Sequence, residues 1–189
     1  MIRIDKKLNL TFSVDSGDGQ IFVHAAPLSA DVFRRYYRII AKAYSQIWGE
    51  GLRYVWTAGW RTAALTIEDI AKQDNVWDGP DGVENGLINE MIRLTNVFVA
   101  GDNGWEMLPL DTALKQGRID EEAGDLTRNA IVFFILASSI EAKKTLEQTF
   151  RPLLKVWDGQ LTSSRAMEFQ SSLPISTATD SSSAKTPAA

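Results

Sequence analysis

The sequence predicts an α+β protein that is mostly α-helical. Its helical core is built around one long apolar helix at 126–150, with two small β-hairpins and a disordered C-terminal tail. Three observations predict this. Residues 130–137, AIVFFILA, are eight apolar residues without a break; on a helix such a run is apolar nearly all round, as in a helix packed on several sides. Two stretches, 8–25 and 97–108, are β-rich and interrupted by clusters of Gly, Asp and Asn that tolerate tight-turn dihedrals. Finally, 171–189 is Ser, Thr, Ala and Pro with only Asp180 and Lys185 charged, and has too little to bury to order itself. The expected division is a single globular domain at 1–170 and a flexible tail at 171–189.

Composition narrows the function classes. At 189 residues the chain fits one domain plus appendages, and 44% apolar with 23% charged residues is ordinary for a globular protein. A net charge of −4 argues against a nucleic-acid binder, which carries a basic patch. With no cysteine there is no disulfide, thiolate metal site or cysteine nucleophile; with one histidine, His24, there is no multi-histidine metal site. The amino terminus, MIRIDKKLNLTFSV, lacks the apolar run of a signal peptide, and the apolar run at 130–137 is shorter than the roughly 20 residues a bilayer needs. The expectation is a cytosolic protein with no membrane partner and no cofactor. The glycosylation sequon at Asn9-Leu10-Thr11 is then a chance match.

In chain order, Leu8, Leu10, Phe12 and Val14 alternate with Asn9, Thr11 and Ser13 at the period of a half-buried strand. The turn residues at 16–19 join it to Ile21, Phe22, Val23 and His24, which places His24 at the hairpin's far end as a surface or packing residue. After Pro27, Ser29 is a candidate N-cap and Asp31 suits the positive end of a helix dipole. Val32, Phe33, Tyr36, Ile39, Ile40, Ala43, Tyr44 and Ile47 then recur at three and four residues, an amphipathic helix of roughly five turns. Its other face carries Arg34, Arg35, Arg38 and Lys42, read as a solvated polar face. A second helix is expected over 61–73 with Ala64, Leu65, Ile67, Ile70 and Ala71 inward. The loop at 77–82 has neither the spacing of a calcium loop nor that of a phosphate loop.

A third helix is expected over 83–94, and a second hairpin with a five-residue turn at 100–104 that could extend the first hairpin's sheet. A short helix after Pro109 ends at Gly117. The carboxylates Asp120, Glu121, Glu122 and Asp125 precede the central helix and suit its dipole better than acid–base chemistry. That helix is expected to run to Phe150 and stop at Pro152, with a last short helix over 161–172.

With these elements in place, the chain resembles the tail-assembly chaperones of long-tailed bacteriophages, encoded between the tail-tube and tape-measure genes. The resemblance spans nearly the full length. It rests on Lys6-Lys7-Leu8-Asn9-Leu10, Ile21-Phe22-Val23-His24, Val76-Trp77-Asp78-Gly79 and Arg93-Leu94-Thr95-Asn96-Val97, on Gly104-Trp105-Glu106 with Pro109-Leu110, and on Val132-Phe133-Phe134 and Ser172-Leu173-Pro174-Ile175-Ser176-Thr177. These are structural residues, and none marks a reaction. The resemblance implies a helical protein with a small β element that binds the tape-measure protein, keeps it soluble and helps recruit tail-tube protein. It further implies self-association, action in the host cytoplasm, absence from the mature virion, and a longer form made by frameshifting near the tail.

A chaperone of this kind needs apolar surface that accepts helical segments. The candidate partner-binding residues are Trp56, Trp60, Trp77, Trp105 and Trp157, because tryptophan often anchors interfaces; each is equally at home in a core. A structural virion subunit of the tail or head–tail connector is the alternative. An enzyme is not expected: there is no G-x-S-x-G, metal spacing or nucleotide loop.

Overall fold

The computed structural model describes residues 8–17, 19–51 and 58–174. Strands β1 (Asn9–Ser16) and β2 (Gly19–Ala25) form the first hairpin, and α1 (Ala30–Gly49) and α2 (Trp60–Gln73) follow. A π-helical turn (Glu84–Ile88) runs straight into α3 (Asn89–Arg93). Next come β3 (Thr95–Gly101) and β4 (Gly104–Pro109), then α4 (Leu110–Lys115), α5 (Glu121–Ile140), α6 (Lys143–Val156), β5 (Gln160–Thr162) and α7 (Ala166–Ser172).

The two hairpins join in one antiparallel sheet of order β4-β3-β2-β1-β5. The join is the β2–β3 ladder, in which Phe22 faces Phe98 and Val23 faces Val97. Strand alternation then sorts the side chains by face. Leu10, Phe12, Val14, Ile21, Val23, Ala25, Val97 and Val99 point inward and are buried. Phe22, His24 and Phe98 point to the other side.

Helix α5 explains its own sequence. It packs against β1, α1, α2, α3, α4 and α6, and every residue from Ala130 to Ala137 is buried, so no position in this run can afford a polar group. By length and composition it is long and apolar enough to cross a membrane, 20 residues with a mean hydropathy of 1.2 over its most apolar 18; in the fold 61% of that window is buried inside the structure. Its N-cap is Asp120, whose carboxylate accepts the Ala123 N–H at 2.7 Å. The same carboxylate accepts from Gly17 N and Ser16 Oγ in the first hairpin's turn, and so ties the sheet to the helix. These backbone donors, Ala123 first, hold the Asp120 carboxyl below its usual range.

Several expectations are corrected. The helix expected over 126–150 is two helices, broken at Glu141 and Ala142, both in extended conformation. Tyr44 Oη and Thr149 Oγ1 both donate to the Glu141 carboxylate, at 3.0 and 2.9 Å, which fixes the bend. Burial raises the pKa of Glu141, against those two hydrogen bonds, and burial with the neighbouring carboxylate pushes the Tyr44 hydroxyl up to about 12. Pro152 does not stop α6 but sits inside it. The expected helix over 161–172 is β5 followed by α7, and 83–94 opens as a π turn. The second hairpin turns on Asp102 and Asn103 alone, because Gly101 pairs with Gly104. Leu65 is 61% exposed and does not belong to the inward stripe of α2. Ser171 and Ser172, expected in the flexible tail, are in α7; the rest of that tail, from 175, lies outside the described residues.

Candidate interaction surfaces

The four candidate tryptophans among the described residues do not converge on one surface. Trp60 and Trp157 are core residues, each 5% exposed, edge to face with ring centroids 5.4 Å apart. Trp157 also packs on Phe12 and Phe150. Trp77 is half-buried with the Lys72 ammonium 5.7 Å above its ring, and Trp105 is half-buried on β4, on the far side of the sheet. Trp56 lies outside the described residues. The bulk of an indole is as useful to a core as to an interface, which is why residue type alone could not separate the two.

What the fold does assemble is a trench along the outward side of α1. Two adjoining hollows, about 760 and 720 Å³, share Arg38, Lys42 and Asp74. Together they follow α1 from residue 35 to 46, roughly 16 Å at 1.5 Å per residue. The opposite wall is the end of α2 and the loop after it. The trench's exposed apolar surface is Val76, 42% exposed, with Tyr37, 55% exposed, at its edge; Ile39, Ile70 and Val83 lie buried beneath. Two ion pairs cross between the walls, Arg35 with Asp81 and Lys42 with Asp74. The cations read as a solvated face are exposed; Arg34 pairs with Asp31, while the other three, Arg35, Arg38 and Lys42, also line a groove. Their three- and four-residue spacing was visible in the sequence; the carboxylates that face them, about forty residues further on, were not.

The trench wall is shaped by local backbone chemistry. Helix α2 ends with Asn75 in left-handed conformation (φ 55), Val76 N–H bonding Ala71 O and Asn75 N–H bonding Lys72 O, a six-to-one closure that folds the loop back at once. Val83 N–H then bonds Val76 O and Glu84 N–H bonds Trp77 O. A Cβ on Gly82 would lie 2.4 Å from the carbonyl oxygens of Trp77 and Asp78, so only glycine fits there. A Cβ on Gly86 would lie 1.6 Å from Tyr36 Oη; the bare π turn leaves room for that buried ring, whose hydroxyl donates to Asp81 O at 3.1 Å.

A second surface lies on the outer face of the sheet. Phe22 and Trp105 meet edge to face at 5.0 Å, and Phe98 is fully buried although no strand or sheet covers it. The cover is α7: Phe169 packs on Phe98 at 5.5 Å and against the His24 ring at 6.0 Å. Gln170 Nε2 donates to Trp105 O and Trp105 Nε1 donates to Pro174 O, both at 2.6 Å. At the other end, His24 Nε2 and Asn9 Nδ2 donate to Ser164 O, at 2.9 and 2.7 Å. His24 is thus a packing residue under the strap. Among the described residues no group of three or more His, Asp or Glu is placed to hold a metal.

No protein-family model, curated protein or solved structure matches the chain.

Proposed function

We propose that the chain is a tail-assembly chaperone of a long-tailed bacteriophage, a non-enzymatic protein that needs no cofactor. It binds the tape-measure protein, keeps that long helical chain soluble in the host cytoplasm, helps recruit tail-tube protein, and is left out of the mature virion. The trench along α1 is the observation that carries this reading. It has a cationic rim, exposed apolar side chains at Val76 and Tyr37 and a length of about three helical turns, which suits an amphipathic helix laid into a groove. The nearly full-length resemblance supplies the identity of that helix's owner. A helical client would set its apolar stripe on Val76 and Tyr37 and its carboxylates toward Arg38, for which no ion pair is found among the described residues.

A structural role in the virion is the second reading. It is favoured by β4, an edge strand whose outer side pairs with no other strand among the described residues and is open to continue the sheet into another copy. Co-expression with the tape-measure protein of the same genome separates the two. The chaperone reading expects the tape measure to move into the soluble fraction and co-purify, and Arg38→Glu with Val76→Asp to lose most of that rescue. An insoluble tape measure, with this chain found in purified particles, would establish the structural role instead.

A further inference from the structure

Each face of the sheet is covered by helix, but the covers differ in kind. Helix α7 is seven residues long, far shorter than a helix that holds together by itself, and Phe169 is its only buried side chain. Met167 on its back is 72% exposed. Among the described residues its flanks are held by single hydrogen bonds: Gln170 and Trp105 at its C-terminal end, and His24 and Asn9 to Ser164 just before it. Beneath it the sheet offers Phe22, Phe98 and Trp105, and beside it Met107, paired with Phe98 across the ladder, is left 38% exposed. The seat is therefore larger and more apolar than its occupant.

We propose that this outer face is a docking seat for a short amphipathic helix built around one phenylalanine, and that α7 is the resident occupant which a partner's helix displaces. The resident defines the chemistry of the guest. A phenylalanine enters between Phe98 and His24. An amide side chain one residue later reaches Trp105 O, and a carbonyl two residues beyond the helix accepts from Trp105 Nε1. An extra apolar residue on the guest would cover Met107, which α7 leaves half open, and so favours exchange. Displacement leaves the inner core untouched, since none of α7's ring contacts reaches it. The inference goes beyond the chaperone reading and holds or fails without it.

The test uses the full chain and, as probe, a fluorescent synthetic peptide of residues 163–174, SSRAMEFQSSLP. On the wild-type chain the tethered α7 competes and the peptide binds weakly. Phe169→Ala empties the seat, and peptide affinity is expected to rise at least tenfold, while the same peptide carrying alanine for its own phenylalanine gains nothing. Gln170→Ala, which loosens α7 without cutting into packing, is expected to give a smaller rise in the same direction. Equal peptide binding by wild type and Phe169→Ala, or no binding by a folded Phe169→Ala chain, overturns the proposal. So does loss of the whole far-ultraviolet helical signal in Phe169→Ala, because α7 would then be part of the core rather than a displaceable cover.

Discussion

The inner and outer faces of the sheet use the same residue classes to opposite ends. Inside, aliphatic strand residues meet α5, which is buried along eight consecutive positions and fixed at both ends, by Asp120 and by the Glu141 bend. Outside, an aromatic cluster is covered by seven residues and one phenylalanine. Burying each large apolar side chain contributes roughly 1.5–3 kcal/mol. The inner face multiplies that over many side chains, whereas the cover of the outer face buries one, Phe169. The lesson is that burial alone does not mark a core; the number of elements sharing the burial does.

Substitutions can break this contrast, and the largest effect is expected inside. Phe134→Ala, at a site fully buried and edge to face with Phe150, is expected to cost about 3–5 kcal/mol and to lower the single unfolding midpoint in urea. An effect below about 1 kcal/mol would mean that α5 is not the hub. Gly86→Ala comes next. A methyl group 1.6 Å from Tyr36 Oη must displace a buried ring. That overpacking, about 1–3 kcal/mol, outweighs the helical gain of about 1 kcal/mol from replacing glycine. The expected net loss is up to about 2 kcal/mol, with the trench wall disturbed and client binding weakened.

The smallest effect sharpens the contrast at the joint between sheet and helix. Asp120→Ala removes an N-cap and is expected to cost about 1 kcal/mol at neutral pH. Its sign with pH is fixed. The folded protein holds this carboxyl below the usual 3.8, so its contribution is present above that value and is lost as pH falls through the folded-state value. The gap between wild type and Asp120→Ala should therefore close in acid, below about pH 4. A gap that stays constant with pH would show that the carboxylate charge plays no part.

How much was legible follows the same division. Period-two alternation and turn residues located both hairpins, the three- and four-residue spacing located α1, and the unbroken apolar run located α5; in each, local chemistry and the final environment agree. The break after Ile140 was not legible, because Glu141-Ala142-Lys143-Lys144 carries no glycine or proline. The bend is held by Thr149, eight residues on, and by Tyr44, almost a hundred residues away in the chain. Pro152 misled for the reverse reason: packing of Leu146, Phe150 and Leu153 carries α6 through a residue that local propensity would read as a stop. Of the candidate site, the cationic face was read correctly as a stripe. Its conversion into a trench needed Asp74, Val76 and Asp81, which are brought near only by the Schellman turn at Asn75.

Native-state hydrogen exchange read by peptide mass tests the contrast between the two faces most directly. Amides within 131–136 of α5 should exchange only through global unfolding. Those of 166–172 in α7 should exchange at least a hundredfold faster, through a local opening that leaves α5 protected. If the two helices instead exchange at the same rate and with the same dependence on denaturant, the outer cover belongs to the core and the account of a displaceable strap is wrong.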